Sequence, residues 1–283
     1  MRVTRSRELV AHGRPAAVVA RVAGISRQAI YKRPARPPKG QRRALSRVDE
    51  VVLGVARENP TDGTRMVAAL AGRDLEAPVN RKRVQRLMRE HQLLQRHKPS
   101  GRRRRPGFFR VERPDALWHM DMTSIWVAEH GWCYLNAIID CCTREICGWS
   151  VDVRCRAAEA ITVLDAAAAA RAVRAGTLTL GTDNGTAYTS RAFRARLAEH
   201  GITHRRGGYR DPESQAFIES WFSKLKERCV WREEFETIDQ ARESVGDYID
   251  RYHHRPHSRL AYRTPREVAD TWKDPQDQSI PTA

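Results

Sequence analysis

The chain has 283 residues, a mean hydropathy of -0.64 and a formal net charge of +17 at pH 7. This length predicts about two or three domains. No apolar run approaches the roughly 20 residues of a membrane span, and the start MRVTRSRELV does not resemble a secretory signal. We therefore expect a cytoplasmic protein without a membrane partner.

The six cysteines form no Cys-x-x-Cys pair, which argues against a zinc ribbon and against a disulfide scaffold. We expect them to be reduced, mostly buried thiols. They are Cys133, Cys141, Cys142, Cys147, Cys155 and Cys229.

The positive charge is segregated along the chain. Residues 1–110 contain 28 Lys and Arg against 8 Asp and Glu, whereas residues 111–283 contain 23 against 26. A merely soluble basic surface would not predict this segregation. The N-terminal part is therefore expected to bind a polyanion, and nucleic acid is the natural candidate.

Residues 1–40 are predicted to form a helix-turn-helix. In PAAVVARVAGISRQAIYKR, Ala20 allows two helices to approach, Gly24 makes the turn and Ile30 anchors the second helix. A short helical hairpin without DNA contacts is the alternative. In the DNA-binding interpretation the outward-facing residues are Arg27, Gln28, Tyr31 and Lys32.

A proline-rich basic linker at 34–43 precedes a second helical DNA-binding unit, predicted over residues 41–96. Helices are expected at 45–57 and 65–70, and Asn80 is expected to cap the helix RKRVQRLMREHQLL. That helix has an apolar side of Val84, Leu87, Met88 and Leu94 and a basic side of Lys82, Arg83, Arg86 and Arg89. A solvated charged face is the alternative to DNA contact.

Residues 97–113 are predicted to be a basic linker. The stretch HKPSGRRRRPG combines Pro and Gly with four consecutive arginines, which is unfavourable for a packed structure. Arg102, Arg103, Arg104 and Arg105 are expected to contact the phosphate backbone of DNA.

After residue 114 the pattern changes to an α/β domain. Three strands are predicted first, and a helix, a strand, a helix, a strand and two helices follow, which indicates a mixed sheet flanked by helices. The strands are expected at 116–127, 132–140, 144–153, 177–182 and 202–206, and the helices at 156–174, 189–200, 213–229 and 237–253. The core is assigned to residues 114–231 and a C-terminal helical extension to 232–283.

Three carboxylates in this domain are candidate metal ligands. Asp121 lies inside an otherwise apolar strand, Asp183 follows the strand TLTLGT, and Glu219 borders the apolar stripe of a helix. Each has a simpler interpretation by itself: a surface aspartate on an edge strand, an Asp-Asn-Gly turn, and a solvated glutamate. Lys226 is seven residues after Glu219 and therefore falls on nearly the same helical face.

Taken together, WHMDMTSI, GTDNGTAYTS and ESWFSKLKE, with 35 residues between Asp183 and Glu219, closely resemble the DDE catalytic core of retroviral integrases and bacterial insertion-sequence transposases. The tail RPHSRLAYRTPREV is similar to that of the OrfB-type transposases, which are made from two overlapping reading frames. NRKRVQRLMREHQLL also resembles the helix-turn-helix that precedes their cores.

The resemblance implies a ribonuclease-H-like five-stranded sheet with Asp121, Asp183 and Glu219 as catalytic metal ligands and Lys226 as a DNA contact. It implies two Mg²⁺ or Mn²⁺ ions that support cleavage and strand transfer of element ends. The expected partners are DNA, further copies of this chain, and an upstream-frame product or fusion. Two alternatives remain open, an inactive element-encoded repressor and a ribonuclease that cleaves RNA in hybrids.

Overall fold

A computed structural model describes residues 2–32, 44–95, 111–207 and 215–272. The chain divides into two compact units, Met1–Glu50 and Val51–Ala283. No helix in the described ranges is long and apolar enough to cross a membrane.

The first unit contains three short helices, α1 (Arg2–Ala11), α2 (Ala16–Ala23) and α3 (Arg27–Tyr31). The turn between α2 and α3 is confirmed, since Gly24 has a φ of 64° and its N–H donates to the carbonyls of Ala20 and Arg21. Ala20 and Ile30 are buried, as the spacing predicts.

Helix α1 was not predicted, because RVTRSRELVA has almost no apolar periodicity. A backbone contact compensates for the missing apolar face. The guanidinium of Arg7 donates to the carbonyl of Ile30 at 2.8 Å and so attaches α1 to the end of α3.

Helix α4 (Arg47–Glu58) spans the boundary between the two units. Helices α5 (Thr64–Asp74) and α6 (Arg81–Glu90) follow it in the second unit. Asn80 caps α6 as predicted, because its side chain accepts from the Lys82 N–H at 2.8 Å. The prediction that Leu94 lies on the apolar side of α6 is wrong. The helix ends at Glu90, Gln92 has a φ of 58°, and Leu94 is 36% exposed instead of lying on the apolar side of α6.

The predicted mixed five-stranded sheet is confirmed, with strand order β3-β2-β1-β4-β5. The first three strands pair antiparallel, and β1–β4 and β4–β5 pair parallel. The strands are β1 (Leu117–Val127), β2 (Gly131–Asp140), β3 (Ile146–Asp152), β4 (Thr179–Thr182) and β5 (Thr203–Arg206).

Helices cover both faces of the sheet and bury two apolar layers. On one face, α7 (Ala157–Ala170) and α9 (Arg191–Glu199) pack over Trp118, Met120 and Ile138. On the other face, α10 (Ala216–Arg228) and α11 (Ile238–His253) pack over residues that include Ile125 and Leu135. The single-turn α8 (Thr186–Thr189), two 3-10 turns (Val230–Arg232 and Ser258–Leu260) and α12 (Pro265–Thr271) complete the described elements.

All six cysteines are free. Cys133, Cys141 and Cys229 are buried and the other three are partly exposed, so the expectation of mostly buried thiols holds for only half of them.

Candidate active site

Asp121 lies on the central strand of the sheet, two residues beyond the last residue of β1 that pairs with β4. Strand β1 pairs with β2 on one side and with β4 on the other, so the alternative of a surface aspartate on an edge strand is wrong. Asp121 is half-buried, and its Oδ1 accepts from the Met122 N–H at 2.8 Å. Alternation along the strand directs Asp121 to the same face as Ile125, which is covered by α10 and α11.

Asp183 follows the last residue of β4, which is the parallel neighbour of β1. Its Oδ1 accepts from the Gly185 N–H at 2.8 Å. A Cβ on residue 185 would lie 2.9 Å from that oxygen, so glycine leaves space for the carboxylate. The predicted Asp-Asn-Gly turn is therefore present, and its geometry holds Asp183 at the end of the strand.

Glu219 is in the first turn of α10 and is exposed. Its neighbour Ile218 and Phe222, three residues further on, are buried, so Glu219 borders the apolar stripe as predicted. Lys226, near the end of the same helix, is partly exposed.

The other two carboxylates act electrostatically on Asp121. Burial raises the pKa of Asp121 to about 6, the Met122 N–H opposes that shift, and the negative charges of Asp183 and Glu219 raise the pKa further. A cation beside Asp121 would favour its ionised form, and three carboxylates are the hard oxygen ligands that suit Mg²⁺ or Mn²⁺. In the described ranges, however, no three His, Cys, Asp or Glu side chains form a closed metal-binding group.

An aromatic sandwich lies beside Glu219, and the sequence did not reveal it. Phe217 stacks on the His119 ring with centroids 5.8 Å apart, and the Arg144 guanidinium carbon lies 3.3 Å from the Phe217 ring centroid. His119 shares the strand face of Asp121, two residues away, which was the only signal available in the sequence. The sandwich attaches the start of α10 to β1.

His119 and Arg144 are both buried. Burial, and after it the charges of Arg144 and Arg205, lowers the pKa of His119 to about 4, so the ring is neutral at pH 7. Burial also lowers the pKa of Arg144.

Tyr188 is a second residue that the sequence reading missed. It is fully buried in α8, and its hydroxyl lies 3.5 Å from the Asn136 Oδ1. Burial raises its pKa, as do the charges of Asp121 and Asp183, so the phenol stays protonated close to the two aspartates.

The predicted DNA contacts lie mostly on the surface. Arg27, Gln28 and Lys32 are exposed, as are Lys82 and Arg86, whereas Arg83 is partly buried. Arg86 also approaches Glu90 at 3.8 Å. Arg102, Arg103, Arg104 and Arg105 lie outside the described residues. Contact of these side chains with DNA stays a prediction.

The mixed sheet has five strands. One carboxylate lies on its central strand β1, a second carboxylate follows the neighbouring strand β4, and a third lies on the covering helix α10. This arrangement defines the ribonuclease-H-like class of fold. Comparison with known families agrees. Residues 111–212 and 200–265 match two families described as integrase core domain, and residues 42–104 match a family described as HTH-like domain.

Relatives extend over most of the chain. It is 30% identical over 264 residues to the insertion element IS476 uncharacterized 39.2 kDa protein of Xanthomonas euvesicatoria, covering 90% of this chain and 72% of that protein. It is 28% identical over 286 residues to the transposase InsD for insertion element IS2-9 of Escherichia coli strain K12, covering 94% and 92%.

A solved structure shares the fold. The simian T-cell lymphotropic virus intasome in complex with PP2A regulatory subunit B56 gamma contains a chain that matches with a TM-score of 0.52 at 18% identity, covering 81% of this chain and 78% of that one. The chain belongs to the insertion-sequence transposases that carry an integrase core domain. The resemblance stated from the sequence motifs is thereby confirmed.

Proposed function

We propose that Asp121, Asp183 and Glu219 are the catalytic metal ligands of this transposase and that the chain cleaves and joins the ends of its insertion sequence. The observation that carries the proposal is the placement of the three carboxylates: Asp121 is half-buried on β1, Asp183 follows the parallel neighbour β4, and Glu219 lies in the first turn of the covering helix α10. An uncompensated negative charge of this kind favours a bound cation.

Each proposed ligand has a separate means of support. The Met122 N–H orients Asp121, the Gly185 N–H orients Asp183, and helix α10 carries Glu219. Bound Mg²⁺ or Mn²⁺ ions, two in each site, would activate the attacking water or 3′-hydroxyl and stabilise the leaving oxygen. Lys226, on the helix of Glu219, would contact a DNA phosphate near the site.

DNA recognition is assigned to the N-terminal helices. Positions 1–110 contain 28 basic and 8 acidic residues, and this net positive charge suits binding to a phosphate backbone. We assign base and phosphate contacts to Arg27, Gln28, Lys32, Lys82, Arg83 and Arg86, and backbone contacts to the arginines at 102–105. Nothing in the described ranges favours the inactive repressor, since all three carboxylates are present.

Assembly is also part of the proposal. Insertion brings two element ends to one target, whereas one active site handles one strand at a time, so at least two protomers act together. An upstream-frame product or fusion would supply further end recognition. Joining of paired element ends should then be more efficient when that product is fused to this chain.

The test is cleavage and joining of DNA that carries the element ends, with Mg²⁺ present. Asp121→Asn, Asp183→Asn and Glu219→Gln should each abolish both reactions and leave DNA binding intact. Glu227→Gln is the matched control, because Glu227 is an exposed glutamate on the same helix. Normal cleavage by any of the three variants would reject the role of that residue.

A further inference from the structure

Three exposed tryptophans lie close to the end of α10. Trp126 is 56% exposed, Trp132 is 58% exposed and Trp231 is 73% exposed. Trp126 and Trp132 face each other across β1 and β2, with ring centroids 5.3 Å apart in an edge-on arrangement. In an edge-on pair, the two tryptophan rings do not cover each other's faces fully. Clustered exposed aromatics of this size mark a binding surface.

The tryptophans line a cavity of about 430 Å³. Other lining residues include Ser124, Lys226 and Glu234. The walls are connected through the backbone, because the Ala128 N–H donates to the Phe235 carbonyl at 2.8 Å and the Glu129 N–H donates to the Glu236 carbonyl at 3.0 Å. These bonds fix the two walls of the cavity relative to each other.

Two elements independently indicate how far the cavity lies from the proposed catalytic carboxylates. Ser124 follows Asp121 by three residues on β1, a rise of about 10 Å along a strand, and the odd offset directs its side chain to the opposite face of the sheet. Lys226 follows Glu219 by seven residues on α10, a rise of about 10 Å along a helix. Lys226 thus connects the cavity to the helix that carries Glu219, at the edge of β1 where a DNA strand leaving the carboxylates could enter.

We propose that this cavity, the tryptophan cavity, binds an unpaired nucleobase of the DNA strand held in the active site. Tryptophan faces stack on bases of any sequence. Lys226 would pair with the adjoining phosphate. The carboxylates of Glu233 and Glu234 repel a phosphate inside the cavity but accept hydrogen bonds from the amino groups of bases.

The inference rests on the proposed function, because it needs DNA in the active site. Its test compares the affinity of the full chain for two DNA duplexes that differ only in a short unpaired end labelled with 2-aminopurine. Binding should be tighter for the unpaired end, and stacking should quench the 2-aminopurine fluorescence. Trp132→Ala and Trp231→Ala should each weaken binding of the unpaired end about tenfold, the loss expected for one stacked base.

Conservative variants separate stacking from general apolar contact. Trp132→Phe should retain quenching, and Trp132→Leu should lose it. Trp272→Ala is the control, since Trp272 is partly exposed and does not line the cavity. Equal affinity for paired and unpaired ends, or normal quenching by Trp132→Leu, would overturn the inference.

Two further outcomes are distinguishable. If the tryptophan variants change the sedimentation of the chain but not its affinity for the unpaired end, the surface is a contact between copies and base binding is rejected. If Mg²⁺-dependent cleavage of paired DNA is normal without any preference for unpaired ends, the base-binding inference fails and the proposed function stands. If the wild-type protein neither binds the unpaired end more tightly nor cleaves DNA with Mg²⁺, both the inference and the proposed function are contradicted.

Discussion

Asp62 accepts a hydrogen bond from the Arg228 guanidinium at 2.7 Å and thereby connects the loop between α4 and α5 to the end of the helix that carries Glu219. The Asp62 side chain is 1% exposed. Its other oxygen pairs with Arg255, whose guanidinium also donates to the Asn59 side chain at 2.9 Å. One buried carboxylate thus joins the loop between α4 and α5 to the integrase core domain.

Asp62→Asn should destabilise this part of the chain. The substitution leaves two partly buried arginines without their carboxylate, at a cost of about 3–5 kcal/mol in the free energy of unfolding. Urea denaturation measures the change. Asp239→Asn is the control, because Asp239 is 84% exposed and pairs with Arg242, its neighbour along the helix. Equal stability of the two variants would contradict the role of Asp62.

Asp121 should make stability depend on pH when no metal is bound. Its folded-state pKa of about 6 exceeds the ordinary 3.8, so its contribution to stability is present below pH 3.8 and is lost as the pH rises through 6. Asp121→Asn should therefore be more stable than wild type at pH 7, by at most about 3 kcal/mol, and equally stable near pH 3.5. Thermal unfolding in a chelator tests this, and a variant less stable than wild type at pH 7 would contradict it.

Phe217 should position Glu219. Phe217→Leu removes the stacking with His119 and Arg144, so the Mg²⁺ concentration for half-maximal cleavage should rise about tenfold, as for other residues that orient a metal ligand. Phe222→Leu is the matched control, because Phe222 is a buried phenylalanine on the same helix. The same Mg²⁺ dependence in both variants would show that the sandwich has no effect on the metal site.

DNA binding by the full chain should depend strongly on salt. With about six phosphate contacts, affinity should fall roughly 10³-fold between about 50 and 200 mM salt. Replacing Arg103 and Arg104 by alanine should reduce the slope of log affinity against log salt by about 2. Alanine at Arg242 and Arg251, which pair with aspartates in α11, should leave the slope unchanged. A salt-insensitive affinity would contradict the electrostatic account.

Local patterns in the sequence were enough to predict most of the fold. Alternating apolar residues predicted β1, and the glycine turn after Ala23 and the cap at Asn80 are local in the chain. Helix α1 could not be predicted, because its attachment is a side chain bonded to the carbonyl of Ile30, 23 residues away. The end of α6 was misjudged because Gln92, a residue type that rarely adopts a positive φ, has one here.

The candidate site also combines features that local sequence patterns predict with contacts that they do not predict. Spacing and family resemblance made Asp121, Asp183 and Glu219 candidates, and the N–H groups that bond the two aspartates are local in the chain. The contacts that fix helix α10, by contrast, come from distant segments. Arg144 contacts Phe217 only when β2, β3 and α10 are assembled. Asp62 and Arg228 are separated by 166 positions, so no local pattern connects them. Such contacts depend on tertiary packing, which residue periodicity does not encode.

Binding of Mn²⁺ to the full chain in the presence of an uncleaved DNA end, measured by electron paramagnetic resonance, tests the shared metal site most directly. Wild-type protein and Glu227→Gln should bind two ions per active site. Asp121→Asn, Asp183→Asn and Glu219→Gln should each lose bound Mn²⁺ while they keep the DNA. Unchanged Mn²⁺ binding in all three variants would contradict the claim that these carboxylates hold the catalytic metal.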